Sequence, residues 1–431
     1  MEKEIEELLK ILEQGVSPFH VVKEAEKQLK EAGFEELSLK KKWNLETGKG
    51  YFLTPFQSSL IAFWIGKNYK KEDMLRIEMA HTDWPCLKIK SLPEKKGKYR
   101  TLNVEVYGGP ILNTWLDRPL SAAGRVSIKS KDIFRPEIRL VDFKKPIFII
   151  PNLAIHMNRD VNQGIELNKQ VDLLPLSGIE SEKEKEEEWF LHLLAKELNV
   201  EQQDILDFEI NLYNSDKPEV IGVNEELVSS PRLDNITSVQ ACVTGIIEGK
   251  RNNGINVIAL FNNEEIGSRT KQGGDSALLP MILERLYLAL EQTREEYLAA
   301  VADGMILSVD VAHAIHPNHP EKCDITNQIY LNDGVALKLS GNQLYATDSE
   351  AVGIIEQLCQ KYEIPYKKFA NHSNIRGGST LGSPVSSILI MKTIDVGIPM
   401  LAMHSSRETM GKEDQVTLCK LMKVFFEEER E

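Results

Sequence analysis

From Pro231 onward, short apolar runs of strand length alternate with stretches that carry the periodicity of helices. Asn235 to Gly249 reads as a helix, Ile255 to Phe261 as a strand, Leu279 to Ala299 as a helix and Met305 to Val309 as a strand, with further strands toward the C-terminus. Strands separated by helices of that length are joined by right-handed crossovers, so they align mostly parallel and carry helices on both faces. The expected fold class is α/β. Open sheets of this kind bind ligands beyond the carboxyl ends of their strands, so chemistry-bearing residues are expected directly after each strand.

The chain ahead of this region divides in two. Residues Glu2 to Glu36 carry two apolar stripes at helical spacing, Ile5, Leu8, Leu9 and Leu12, then Val21, Val22, Ala25 and Leu29, which predict two packed helices. Strands follow at Gly50 to Leu53, Ser58 to Trp64 and Leu75 to Ala80, the last ending directly at His81. From about Lys90 to Val228 the runs become short and β-like, as at Val104 to Tyr107 and Pro146 to Ile150, broken by Gly and Pro turns. Ser181 to Glu188 is a dense charge run, read as the solvated start of a helix over Trp189 to Leu198. A length of 431 residues exceeds what one core usually serves. The simplest organisation is an α/β domain of residues 1–90 plus 229–431, interrupted by a β-rich insert of residues 91–228.

Charge and cysteine usage exclude several partners. A formal net charge of -13 opposes binding to nucleic acid, which depends on Lys and Arg displacing counterions from phosphates. The five cysteines are scattered and without CxxC spacing, so neither a disulfide framework nor a thiolate zinc site is predicted, and a reducing cytoplasm fits. Met1 to Lys10 lacks the basic-then-apolar layout of a secretion signal, and no apolar run reaches the length of a membrane span.

The residues that follow the strands are the ones metals bind. His81 and Asp83 follow Leu75 to Ala80, Glu264 and Glu265 follow Ile255 to Phe261, Asp310 follows Met305 to Val309, and His404 follows Ile398 to Met403. Asp234 stands at a loop-to-helix junction. Singly, an Asp in such a place is a turn former or cap. Together, two His and several carboxylates without a thiolate are the hard and borderline donors wanted by Zn²⁺, Mn²⁺ or Co²⁺. So large a carboxylate share points to two ions activating one water rather than to a single closed zinc site. The adjacent Glu264 and Glu265 can divide two tasks, one carboxylate for metal and one for the water's proton. Asp83 is placed to accept the second ring N–H of His81 and fix its tautomer. HExxH, the commonest helix-borne zinc peptidase layout, is absent.

These local sequences resemble the aspartyl aminopeptidase family of metallopeptidases. The resemblance rests on AHTDWPCLKIKS (80–91), VYGGPILNTWLDRPLSAAGRV (106–126), NLAIHMNR (152–159), SPRLDN (230–235), FNNEEIGSRTKQGGDSALL (261–279), SVDVAHAIHPNHPE (308–321), GGSTLG (377–382) and DVGIPMLAMHSSRE (395–408). It implies a zinc-exopeptidase-like sheet interrupted by an inserted domain that serves dimerisation and oligomerisation. It also implies two divalent ions, zinc first and Co or Mn possible, held by His81, Asp234, Glu265, Asp310 and His404. Asp234 bridges the pair in this resemblance; the partition of the others stays open. Glu264 matches the general base that deprotonates the bridging water, and Asp83 the carboxylate behind His81. His156 matches a histidine that reaches a neighbouring subunit's active site to stabilise the oxyanion. His313 and Lys338 match substrate contacts, Lys338 receiving the side-chain carboxylate of an N-terminal Asp or Glu. The implied partners are peptides and further copies of the chain, dimers assembling into a dodecamer, without nucleic acid or membrane.

One stretch departs from the family pattern. Where members often carry Asp-Met ahead of the Gly-Ser-Thr loop, this chain has Asn374, Ile375 and Arg376. That keeps a broad or neutral-residue aminopeptidase open beside an acidic one. A reading from another class, a catalytically silent metal-binding scaffold, is disfavoured because it has no use for an unligated glutamate beside the metals. His316 and His319 receive no role, because Pro317 and Pro320 forbid a helical ligand face.

Overall fold

The computed structural model describes residues 2–164, 166–180 and 188–429, which form two compact units. The first contains residues 1–84, 218–403 and 408–431, and the second residues 85–217 and 404–407. The second unit begins at Pro85, and Cys86–Lys95 is a strand of its sheet. Of the charge run, only Glu188 lies within the described residues.

The first unit is built on a nine-stranded sheet. Its order is Glu35–Glu36, Lys49–Leu53, Leu60–Ile65, Ile255–Phe261, Leu75–His81, Met305–Val309, Lys392–Gly397, Val335–Leu339 and Tyr366–Ala370. The four central strands, Ile255–Phe261 through Lys392–Gly397, are mutually parallel. Both faces are covered, which explains why Ile255–Phe261 and Met305–Val309 read as mostly apolar runs. Along Leu75–His81 the side chains alternate: Leu75, Ile77 and Met79 pack with Leu279, Ile282, Leu286 and Tyr297 of the helices Leu278–Ala289 and Arg294–Asp303. The intervening Arg76 and Glu78 face the opposite layer, where Arg76 donates to the Phe425 carbonyl of the helix Lys412–Glu427 at 2.8 Å. The helix expected over Leu279 to Ala299 is two helices. Thr293 accepts from the Glu296 N–H, and the Glu296 carboxylate accepts from the Thr293 N–H, a reciprocal cap that starts a new helix in mid-segment. A smaller sheet orders Glu219–Ile221, Leu227–Ser230, Glu408–Gly411, Pro399–Leu401 and Ala312–His313.

Glu78 is fully buried, and a Cβ on Gly245 would come within 2.8 Å of its Oε2, so only glycine leaves that space. Neither carboxyl oxygen has a hydrogen-bond partner among the described residues, and burial pushes its pKa well above the usual carboxylate range. A raised folded pKa means that the unfavourable contribution is absent while both states are protonated. It grows as pH rises from the unfolded toward the folded pKa. Glu78→Met is therefore expected to stabilise the chain by about 1–3 kcal/mol at neutral pH, and by much less near the unperturbed Glu value of about pH 4. Chemical unfolding at the two pH values checks this; an equal gain at both would refute the account.

The second unit is a six-stranded antiparallel sheet ordered Glu137–Asp142, Leu120–Ile128, Ile205–Asn214, Cys86–Lys95, Tyr99–Tyr107 and Leu176–Ile179, with the helix Trp189–Leu198. The strand expected at Pro146 to Ile150 forms only isolated bridges, Phe148 to Leu120 and Ile149 to Leu176. Proline at both ends, Pro146 and Pro151, removes the N–H groups a longer ladder needs.

No helix among the described residues is long and apolar enough to cross a membrane. The five cysteines are free.

Candidate metal centre

The carboxyl ends of three adjacent parallel strands supply the centre of the site. His81 closes Leu75–His81, Asp310 follows Met305–Val309, and Glu264 with Glu265 form a short turn, Glu264–Ile266, after Ile255–Phe261. The turn is set locally by Asn263, which adopts the left-handed conformation at φ 64° that asparagine tolerates better than most residues. Its Oδ1 accepts from Thr270 at 3.0 Å. Gly397 lies against Asp310: a Cβ there would sit 1.4 Å from the Asp310 carbonyl oxygen, so no other residue lets the two strand ends approach.

His81 Nε2 lies 3.5 Å from Asp234 Oδ1 and 3.6 Å from Asp310 Oδ1. One donor atom each from His81, Asp234 and Glu265 falls within 4.8 Å of the other two. The other ring nitrogen of His81 faces the backbone carbonyl of Asp83 at 3.0 Å, whereas the nearest Asp83 carboxylate oxygen is at 3.6 Å. An N–H at Nδ1 leaves Nε2 for a metal. The Asp83 carboxylate accepts instead from the Glu264 and Glu265 N–H groups, at 3.1 and 3.2 Å, and so holds the turn carrying both glutamates. That contact was not foreseen from the sequence. Nor was Glu408, whose carboxylate accepts the Asp234 N–H at 3.0 Å; its only sequence signal is its position at the end of the last matching motif.

Crowded carboxylates dominate the electrostatics. Burial, joined by Asp310, Asp83 and Asp234 and opposed by His81, pushes the Glu264 carboxyl up to about 8. Burial acts against a charge on His81, but Asp310 and Asp83 outweigh it and hold the imidazole protonated well above its usual range. Asp310 is pulled down to about 2, because the Lys338 ammonium and His81 overcome the effect of burial. A pocket of carboxylates that draws a proton onto histidine is one that wants cationic charge, and its imidazole and carboxylate donors suit a divalent ion such as zinc.

Lys338 is 2% exposed; its Nζ donates to the Val311 carbonyl at 2.8 Å, lies 3.9 Å from Asp310 Oδ2 and sits over the Tyr345 ring at 4.7 Å. His313 is exposed on the short strand Ala312–His313, which pairs with Pro399–Leu401. The remaining two expected site residues belong to the second unit. His404 has φ 67°, with Nδ1 3.1 Å from the Gly109 carbonyl. His156 is exposed in a turn beside exposed Leu153, Ile155 and Met157.

Residues 11–426 match the family described as aminopeptidase I zinc metalloprotease, M18. The chain belongs to the M18 family. An M18 member is a zinc metalloprotease and a hydrolase, in keeping with the donor set at the strand ends. A probable M18 family aminopeptidase 2 of Clostridium novyi (strain NT) is 46% identical over 422 residues, covering 97% of this chain and 98% of the relative. Aspartyl aminopeptidase 4 of Saccharomyces cerevisiae is 38% identical over 460 residues, covering 98% of this chain and 94% of the relative. Among solved structures, the mApe1 dodecamer of S. cerevisiae superposes with a TM-score of 0.84 at 27% identity, covering 98% of this M18 chain and 95% of the other. The α/β fold and the aminopeptidase resemblance read from the sequence thus hold.

Proposed function

We propose that this M18 chain removes N-terminal residues from peptides, preferring Asp and Glu, with two divalent metal ions held by His81, Asp234, Glu265, Asp310 and His404. The observation that carries this reading is the convergence of His81, Asp234 and Glu265 within 4.8 Å, with Glu264 beside them on the same turn. Zinc is the first choice, with Co or Mn accepted by the same donors. When bound, such ions lower the pKa of a water and polarise the scissile carbonyl. Glu264 takes the water's proton and passes it to the leaving amine, while Asp83 holds the turn that aims it. His156 acts in a neighbouring subunit, where its ring N–H stabilises the oxyanion; its exposed, partly apolar turn suits a contact segment. His313 contacts substrate, and Lys338 receives the acidic side chain. An ammonium has three N–H groups, of which one is on the Val311 carbonyl at 2.8 Å, with Asp310 Oδ2 at 3.9 Å.

The self-assembly in this reading is of dimers into a dodecamer, and its place is the cytoplasm; the yeast mApe1 structure is likewise a dodecamer. The name of the yeast aspartyl relative supports the acidic preference. A broad or neutral-residue aminopeptidase is the second reading, favoured by the burial of Lys338 against Asp310. A panel of aminoacyl reporter substrates separates them. Aspartyl and glutamyl substrates are expected to exceed leucyl and alanyl ones by about tenfold to a hundredfold in kcat/KM, since a site with a buried charge rejects a substrate that leaves it unpaired. The reverse order would remove the acidic preference, and elemental analysis showing one ion per chain would remove the metal pair.

A further inference from the structure

Lys338 is turned inward, but other cations of the same unit open onto a cavity of which the proposed chemistry uses only His313. This cavity of 460 Å³ lies within the roughly 300–1,000 Å³ range of small-molecule sites. Its lining includes His313, Lys322, His372 and Arg376, and Asp324 is its sole carboxylate among the described residues. The Asp324 Oδ1 is already engaged, accepting from the Asn327 N–H at 2.8 Å and the Thr326 N–H at 3.1 Å, bonds that lower its pKa. In a chain of net charge -13, this wall is locally cationic.

The loop presenting Arg376 is fixed by its own bonds. His372 Nδ1 accepts from the Asn374 N–H at 3.1 Å, which places the neutral ring's proton on Nε2 as a donor, and the His372 carbonyl accepts from Ile375 at 2.9 Å. Next in the chain, a Cβ on Gly377 would meet the Asn371 amide at 2.3 Å, and that amide donates to the Tyr345 hydroxyl at 2.9 Å. Arg376 and Lys322 are exposed and make no ion pair among the described residues. The cavity is linked to the proposed chemistry through His313, three residues beyond Asp310, and its wall includes Leu401 to Met403.

We infer that this cavity is a second carboxylate-recognising subsite, taking an Asp or Glu side chain on the leaving portion of the peptide. Arg376 is its specificity-determining contact, and Lys322 and His372 are supporting donors. The inference rests on the peptidase reading. The leaving portion is the occupant because the cavity is far larger than one acidic side chain and because Lys338, assigned to the cleaved residue, is not in its lining. Guanidinium meets carboxylate in a two-pronged geometry that a lysine does not reproduce.

The test uses the full-length, metal-loaded protein and tripeptides that share an N-terminal Asp and differ at the second residue, Glu, Ala or Lys. For the unaltered protein, kcat/KM is expected to be at least about tenfold higher with Glu than with Ala second, the scale of a solvent-accessible charge pairing with hydrogen bonds. Arg376→Ala is expected to remove most of that ratio, and Arg376→Glu to shift preference toward Lys. An equal fall on all three peptides, or an unaltered ratio in both variants, overturns the subsite. Hydrolysis of none of the tripeptides by the unaltered protein would instead overturn the peptidase reading beneath it.

Discussion

Glu264→Gln is expected to lower kcat by about 10²–10⁴-fold, the usual worth of a positioned general base, while metal content stays near that of the unaltered protein. Gln keeps the shape and accepts hydrogen bonds but takes no proton at working pH. The backbone N–H that Asp83 grips is unaffected, so the turn and Glu265 stay in place. Glu264 has the environment such a base needs: burial and the neighbouring carboxylates raise it to about 8, so its conjugate acid holds a proton long enough to deliver it. Divalent cations beside it favour the ionised form and bring that value down, so the acidic limb of kcat/KM in the loaded enzyme is expected below pH 8. Single-turnover rates with metal analysis decide the matter. Parallel loss of activity and metal would make Glu264 a ligand instead.

Asp83→Ala is expected to weaken metal binding by about 10–100-fold, as loss of a group supporting the ligands usually does, and to reduce activity with it. The carboxylate is almost fully buried and accepts two consecutive N–H groups at 3.1 and 3.2 Å. Its removal leaves both donors to find new partners and frees the turn that carries Glu264 and Glu265. Asp83→Asn keeps one acceptor oxygen and is expected to lose less. Competition against a chromophoric chelator reads the affinity directly. Full metal affinity in Asp83→Ala would show that the turn holds itself, through Asn263 and Thr270, without this anchor.

Much of this was legible along the chain because the relevant signals are short-range. Periodicity placed Ile255–Phe261, Leu75–His81 and Met305–Val309, because strands buried on both faces are mostly apolar along their length. The positions just beyond each run are therefore readable as strand-end positions, which is where His81 and Asp310 stand, with Glu265 on the short turn after Phe261. The break at Thr293 was missed although its Thr-x-x-Glu signature is local, because helical periodicity on both sides masked the cap.

Other features depend on partners distant in sequence. That Asp83 grips the turn at residues 264–265, that Glu408 holds the Asp234 N–H, and that Lys338 lies between Val311 and Asp310 are facts about pairs far apart in the chain. Residue type sets what a side chain can donate or accept, and periodicity sets which face or end of an element it occupies. The sequence alone thus determined the α/β class, the strand-end donors and the M18 motifs. Which of two acceptors on Asp83 faces His81, and whether Lys338 opens to a cavity or turns inward, differ by rotamer and by neighbouring strand register. Those choices are made by packing, so only the tertiary structure decided them.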